Sequence, residues 1–284
     1  MRRFSLITGI GETVDLTTET VFFHDPDGLG FNTSATYRQI GRRFSLVNTD
    51  TSQGSITGSI AFLGEKPYEQ YYNFIKTVLC GGLILVYSTD DNVTKYYREV
   101  ELSNVDKSEI LQDGGYLDVS VTFTAKTPWY RKYTLTTNNK ISGDSGFIFP
   151  VKWPVKFRST TGMTVILDVE SHTPSPCRLI IDGPLTNPSW RHYVNGKLSQ
   201  TGAVTVEIPE DHHLVIDNRG DAWEMAIYNS DLTAITKDVY QLSDFSTGRF
   251  IDLKYGRNQI SVSSANSTDM VDIKLEANVY YDTV

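Results

Sequence analysis

A chain of 284 residues holds one large domain or two of ordinary size, and its 39% apolar and 21% charged content supports a packed core and excludes a disordered polymer. The net charge of −8 is shared by both halves, which excludes a protein that grips nucleic-acid phosphates over a basic face. An acidic balance instead favours solubility and repels DNA from any surface it lines.

Met1-Arg2-Arg3-Phe4-Ser5-Leu6 opens like a twin-arginine leader, but Gly9, Gly11, Glu12 and Asp15 follow in place of a long apolar run. No stretch approaches the roughly 20 apolar residues of a membrane-spanning helix. The expectation is a chain made in the bacterial cytoplasm, with no signal peptide, no transmembrane segment and no membrane insertion. Residues 1–64 alternate short apolar runs with turn signals, among them the cluster Asp25 to Gly30. The letters Arg-Arg-Phe-Ser-Leu occur at 2–6 and again at 42–46. Nothing around them repeats, so they are read as two strand starts.

Pro67 suits a first helical position and Gly81-Gly82 a helix end, which predicts one helix over about 67–80. Tyr68, Tyr71, Tyr72, Ile75, Val78 and Leu79 recur at helical spacing and are read as its sheet-packing face. A continuous apolar run, Leu83 to Tyr87, leads to a polar hairpin tip, Ser88 to Thr94, and a returning strand, Tyr96 to Leu102. In the next strand Val119, Val121, Phe123 and Ala125 share one parity, while Asp118, Ser120, Thr122, Thr124 and Lys126 share the other. That is a strand with one buried and one wet face. It is expected to stop at Thr127-Pro128, because proline removes a ladder donor. Polar residues from Thr134 to Asp144 then form a connector.

The second half carries almost no helical pattern. Candidate strands are Val165–Val169, Arg178–Asp182, Val204–Ile208, His213–Asn218, Trp223–Tyr228, Gln259–Ser263 and Val271–Tyr280. Many short strands between Gly, Pro, Asn and Asp turns indicate an antiparallel sandwich or jelly roll.

Catalytic and cofactor patterns are missing. There is no Gly-x-Ser-x-Gly, no phosphate-cradling loop with lysine and no zinc-protease helix, and Gly9-Ile10-Gly11 lacks the third glycine of a dinucleotide site. Glu207 to His213 gathers acids and two histidines, but Pro209 marks a loop and adjacent histidines of a strand face opposite ways. Asp25 and Asp27 lack the dozen-residue calcium loop with its closing Glu and read as a solvated turn. Cys80 and Cys177 lie far apart, without metal spacing, and are read as two reduced, buried thiols. No paired carboxylates suggest a glycosidase. The expectation is a protein without cofactor, metal or enzyme activity.

A strand-rich first half with one helix, the ending Thr127-Pro128-Trp129-Tyr130, a short connector and a sandwich-like second half resemble the distal tail proteins of long-tailed bacteriophages. In the second half the resemblance is carried by Pro176 to Gly183, Thr186 to Pro188, His213 to Asn218 and Tyr255 to Val262. It implies a mainly β fold: an N-terminal ring-forming β-sandwich domain with one helix over 1–133, a connector over 134–146, and a galectin-like, jelly-roll sandwich over 147–284. It also implies a job. Such proteins form hexameric rings at the virion tail tip, continue the channel through which DNA passes, and join the tail tube protein to the baseplate or tail-tip protein. Their C-terminal domains carry or orient receptor-binding or adaptor proteins.

A galectin-like sandwich can also hold a sugar on a tryptophan face. Asn218 and Arg219 followed by Trp223 and Glu224 give a partly galectin-like order, and Trp190 is a further candidate expected to be exposed. The leading His-x-Asn-x-Arg element is unmatched, and Trp223 itself is expected to be mostly buried, as tryptophan usually is. The competing readings are therefore a carbohydrate-binding module of a tail or cell-surface protein, and a tube or other ring protein with an appended sandwich.

Overall fold

The computed structural model describes residues 2–89, 94–108, 115–137, 163–220, 223–265 and 271–284. Residues 90–93 of the hairpin tip expected over Ser88 to Thr94, the connector from 138 onward and the start of the second sandwich up to 162 lie outside the described residues. The chain is mostly strand and divides into two compact units, Met1–Arg131 with Tyr280–Val284, and Lys132–Val279.

The first unit runs β1 (Arg3–Ile7), β2 (Thr13–Asp15), β3 (Val21–Asp27), β4 (Asn32–Ile40), β5 (Arg43–Ser52), β6 (Ser55–Phe62), α1 (Pro67–Val78), β7 (Leu83–Ser88), β8 (Lys95–Lys107), β9 (Leu117–Ala125) and the start of β10 (Trp129–Thr136). All pairings are antiparallel. The first half of β8 pairs with β7, which pairs with β1 and then β2. Its second half pairs with β9, which pairs with β6 and then β3. The two wings face one another through aromatic rings: Phe4 on β1 meets Phe23 on β3 edge-on at 5.1 Å, and Phe23 meets Phe123 on β9 at 6.2 Å. The alternation of β9 is fully expressed, with Leu117, Val119, Val121, Phe123 and Ala125 all buried.

Pro67 opens α1 and the left-handed Gly81 and Gly82 follow its end, as their chemistry requires. Its buried residues are Pro67, Phe74 and Val78, so of the expected stripe Val78 goes in while the tyrosines stay at the margin or outside. Phe74 packs on Phe62 of β6 at 5.7 Å, while Tyr72 and Leu79 are exposed. Tyr68 and Tyr71 lie half-buried, with the Lys107 ammonium 4.6 Å from the Tyr68 ring. A tyrosine keeps its hydroxyl wet at such a margin, whereas phenylalanine loses nothing by going in.

The expected stop at Thr127-Pro128 is present, since β9 ends at Ala125; after the bend the chain resumes as a further strand, β10, with Tyr130 opposite Tyr97. Proline needs only the unpaired position that the bend supplies. Cys80, expected to be buried, is exposed just past α1; Cys177 is buried, and both are free thiols.

The second unit contains β11 (Thr164–Val169), β12 (Ser175–Asp182), β13 (Leu185–Thr186), β14 (Ser189–Val194), β15 (Lys197–Ala203), β16 (Glu207–Ile208), β17 (His213–Asp217), β18 (Glu224–Tyr228), β19 (Ile235–Asp238), a 3-10 turn (Tyr240–Leu242), β20 (Asp252–Leu253), β21 (Gly256–Ser263) and most of β22 (Ile273–Tyr281). One sheet has the order β19-β18-β17-β12-β22 and the other β11-β21-β14-β15. Cross-strand partners Leu275, Leu179, Ile216 and Met225 form one buried row of the first sheet. Val165, Leu167 and Val169 bury the inner face of β11 while Ile166 points out. The single strand expected over Val204–Ile208 shrinks to Glu207–Ile208, and the hairpin β14–β15 was not expected at all.

Candidate assembly surface

β4 and β5 form a sheet of their own, paired with each other from Asn32↔Ser52 to Ile40↔Arg43. Gly41 and Arg42 make the two-residue turn, and Gly41 takes φ 63° at the first turn position, where a primed hairpin turn favours glycine. A bulge between Thr36 and Tyr37 twists the ribbon. Among the described residues both faces are exposed. Phe44 (70% exposed), Leu46 and Tyr37 share one face, while Ile40 stands on the other with Arg38 and Arg43. Between Asn32 and Asn48 the hairpin carries Arg38, Arg42 and Arg43 and no acid, against a chain whose net charge is −8.

Such a ribbon is out of balance as a free object. A lone two-stranded hairpin is marginal in water, and the outer edges of a two-stranded sheet are open to pairing with a further strand. Five large apolar side chains, Tyr37, Ile40, Phe44, Leu46 and Val47, are more than half exposed along it. Clustered apolar exposure of this kind is the mark of a surface that meets a partner, a ligand or a membrane.

The Thr127-Pro128-Trp129-Tyr130 motif lies near the root of this hairpin. Trp129 is fully buried, and its indole Nε1–H donates to the carbonyl of Leu29, three residues before β4, at 3.1 Å. The Thr127 carbonyl accepts from Arg98 Nε at 3.0 Å, and Thr127 Oγ1 accepts from the Glu99 amide at 3.1 Å. Tyr130 stacks on Tyr97 at 5.9 Å, and burial pushes its hydroxyl pKa far up. The motif therefore ties β8, β10 and the hairpin's entry into one packed knot.

The five candidate sugar contacts do not converge. Trp190, expected to be exposed, is 1% exposed: its Nε1–H donates to the Arg249 carbonyl at 2.9 Å, and its ring fills the space that Gly202 leaves on β15. Asn218 is buried, accepting from the Cys177 amide at 2.8 Å and donating to the Ile251 carbonyl and to Asp252. Arg219 is held by Asp217 at 3.0 Å and Glu276 at 3.2 Å, and Arg178 joins the same acids. Burial lowers the Arg219 pKa, and the two acids more than offset this. Trp223, expected to be buried, is 62% exposed and leans on Phe250 at 5.0 Å. Trp223 and Glu224 line a cleft of about 300 Å3 together with Ile235, Asp238, Tyr240 and Gln241. Glu224 also accepts a hydrogen bond from the Tyr228 hydroxyl.

Of the remaining acid and histidine candidates, His213, His212 and Asp25 make bonds within the chain. His213 binds Asp182 at 2.7 Å and the Ser230 carbonyl at 3.1 Å. His212 reaches the Glu210 carbonyl at 3.1 Å. Asp25 occupies a strand bulge with φ 51° and touches His24, which also reaches Asp118. Among the described residues no three ligand side chains gather to hold a metal, and no helix is long and apolar enough to cross a membrane.

Comparison with known proteins points in one direction. Residues 3–126 match the family model described as distal tail protein, N-terminal domain. A chain of the phage P2 baseplate in its activated conformation with Ca is 17% identical, with a TM-score of 0.65 and 100% of both chains covered; the Sr form gives the same values. The SPP1 Dit (gp 19.1) protein, described as a paradigm of hub adsorption apparatus in phages of Gram-positive bacteria, is 9% identical, with a TM-score of 0.60 over 96% of this chain and 98% of that one. These structures share the fold. No curated protein matches the chain.

Proposed function

We propose that six copies of this chain, whose residues 3–126 match the distal tail protein N-terminal domain and whose fold is shared with phage baseplate and hub proteins, close into a ring at the virion tail tip as a structural component of the phage tail. The carrying observation is the uncovered β4–β5 hairpin, whose exposed apolar face and arginines match a neighbour that is acidic and has sheet edges of its own. Head-to-tail contacts of this kind close by rotation into rings. The ring continues the tail tube protein toward the tail-tip protein, and its channel passes DNA without binding it, helped by the chain's net negative charge. The first unit, Met1–Arg131 with Tyr280–Val284, builds the ring. The second sandwich, from about 147, carries or orients receptor-binding or adaptor proteins. The particle is put together in the bacterial cytoplasm. Light scattering after size exclusion tests the reading: six copies of the 31.9 kDa chain support it, and a persistent dimer or trimer refutes six-fold closure.

A second reading has its own support in the exposed Trp223. An indole face beside Glu224, Asp238 and Gln241 offers both the apolar platform and the acceptors that a sugar ring needs. Glycan binding lost in Trp223→Ala would establish it, and identical binding by the variant would remove it.

A further inference from the structure

Arg98, on β8, is a buried cation that the described residues leave incompletely paired. It is 6% exposed. Its Nε donates to the Thr127 carbonyl at 3.0 Å, its guanidinium carbon lies 5.5 Å from the centre of the Trp129 ring, and its Nη1 is buried with no acceptor. Burial lowers its pKa from the ordinary value, yet a guanidinium stays charged at neutral pH. A buried charge without its counter-ion costs several kcal/mol as a rule and marks a place where a partner is due.

The guanidinium borders an open cavity of about 350 Å3, walled by Phe31, Gln53, Gly54, Lys126 and Pro128. Gly54 leaves the approach clear: a Cβ there would lie 3.0 Å from Arg98 Nη2 and would touch nothing but the Arg98 side chain. Lys126 adds a second cation, shared with Glu101 at 3.4 Å. Asp282 on the same wall disfavours multiply charged anions such as phosphate by like-charge repulsion. A planar guanidinium in a small cavity with one acid at its edge fits a single carboxylate.

We propose that this cavity is a carboxylate-receiving site, and that its occupant is an aspartate or glutamate side chain of a second copy of this chain. The cavity sits at the root of the β4–β5 hairpin, since Phe31 directly precedes β4 and Ser52 ends β5. A second copy brings acids in plenty, with 34 acidic against 26 basic side chains per chain. The choice of occupant rests on the ring reading above; the carboxylate chemistry does not.

The test is an NMR titration of the 15N-labelled full chain with sodium acetate at constant ionic strength, following the Arg98 Nε–H and Trp129 indole signals, in the background of Phe44→Asp with Leu46→Asp so that no second copy already fills the site. Saturable shifts are expected. Gly54→Ala, which adds only a methyl against Arg98, should weaken acetate by about tenfold or more, the size of one lost charge-assisted hydrogen bond, and leave the melting temperature unchanged. Sodium phosphate should bind more weakly than acetate. Shifts linear in acetate, equal saturation in Gly54→Ala, or phosphate as tight as acetate would each overturn the carboxylate site. The occupant is tested by solution mass. Loss of the oligomer in Gly54→Ala supports a partner's side chain, and an unchanged oligomer overturns it in favour of a free carboxylate. A wild-type chain that saturates with acetate yet never assembles refutes the ring while leaving the site intact.

Discussion

Arg98 and Trp129 meet as a cation over a ring, with the guanidinium carbon 5.5 Å from the indole centre, and this contact sits inside the Thr127-Pro128-Trp129-Tyr130 motif that marks the family resemblance. The motif is thus a structural lock. It fixes a buried arginine on β8 from one side and the entry to the β4–β5 hairpin from the other, through Leu29.

Trp129→Ala should therefore act on both. Removing a fully buried tryptophan costs on the order of 3–5 kcal/mol and frees the Leu29 carbonyl. Urea unfolding followed in the first unit should show this loss. A midpoint unchanged from wild type would show that the lock does not contribute.

Charge placed on the hairpin should separate folding from assembly. Phe44→Asp with Leu46→Asp alters side chains that touch solvent, so protomer stability should change by no more than about 0.5 kcal/mol. The same pair should abolish the oligomer in light scattering. An oligomer of unaltered mass would place the ring contact elsewhere.

Two histidines give the units opposite responses to acid. His192 on β14 is fully buried between Gln200 and Asn258, and burial lowers its pKa below 6.5 despite those hydrogen bonds. Its contribution is complete above pH 6.5 and is lost as pH falls toward its folded pKa, because the unfolded chain takes up the proton first. For His24, burial lowers the pKa but Asp25 and Asp118 raise it by more, leaving it above 6.5. Its contribution is complete below pH 6.5 and is lost as pH rises through the folded value. Urea midpoints read from the Trp190 and Trp129 indole signals at pH 7.5 and 5.5 should thus show a loss in the second unit that His192→Gln reduces. They should also show a gain in the first unit that His24→Asn reduces. Shifts untouched by either variant would assign the pH response to other groups.

Gly202→Ala should be among the costliest small changes in the second unit. The new methyl would come within 2.2 Å of the Trp190 ring, and overpacking of this kind costs typically 1–3 kcal/mol. A melting temperature equal to wild type would mean that the ring can move aside.

The parts of this fold that the sequence reveals are those where burial is one-sided. β9 and β22 alternate cleanly because one face of each is core, and α1 is bounded by Pro67 and Gly81-Gly82. The hairpin β4–β5 is harder to read because no face of it gives a buried stripe; its local signals are the strand start at Arg42 to Leu46 and Gly41 at the turn. β14 and β15 hide behind a polar interior, where His192 and Asn258 are buried by pairing with each other. Their turn was still readable, since Asn195-Gly196 has positive φ at both residues, the strongest short hairpin signal. The two tryptophans exchanged their expected roles for a tertiary reason. Trp190 faces a glycine across a strand pair, while Trp223 stands before β18 at the rim of an open cleft and leans on Phe250. Exposure depends on partners distant in sequence, and residue type alone does not encode it.

The most direct test of the account is an electron cryomicroscopy reconstruction of the purified assembly. The account predicts six copies around an open channel, with the β4–β5 hairpin of each copy lying on its neighbour and Phe44 and Leu46 covered. A closed ring in which that hairpin projects free into solvent would contradict it.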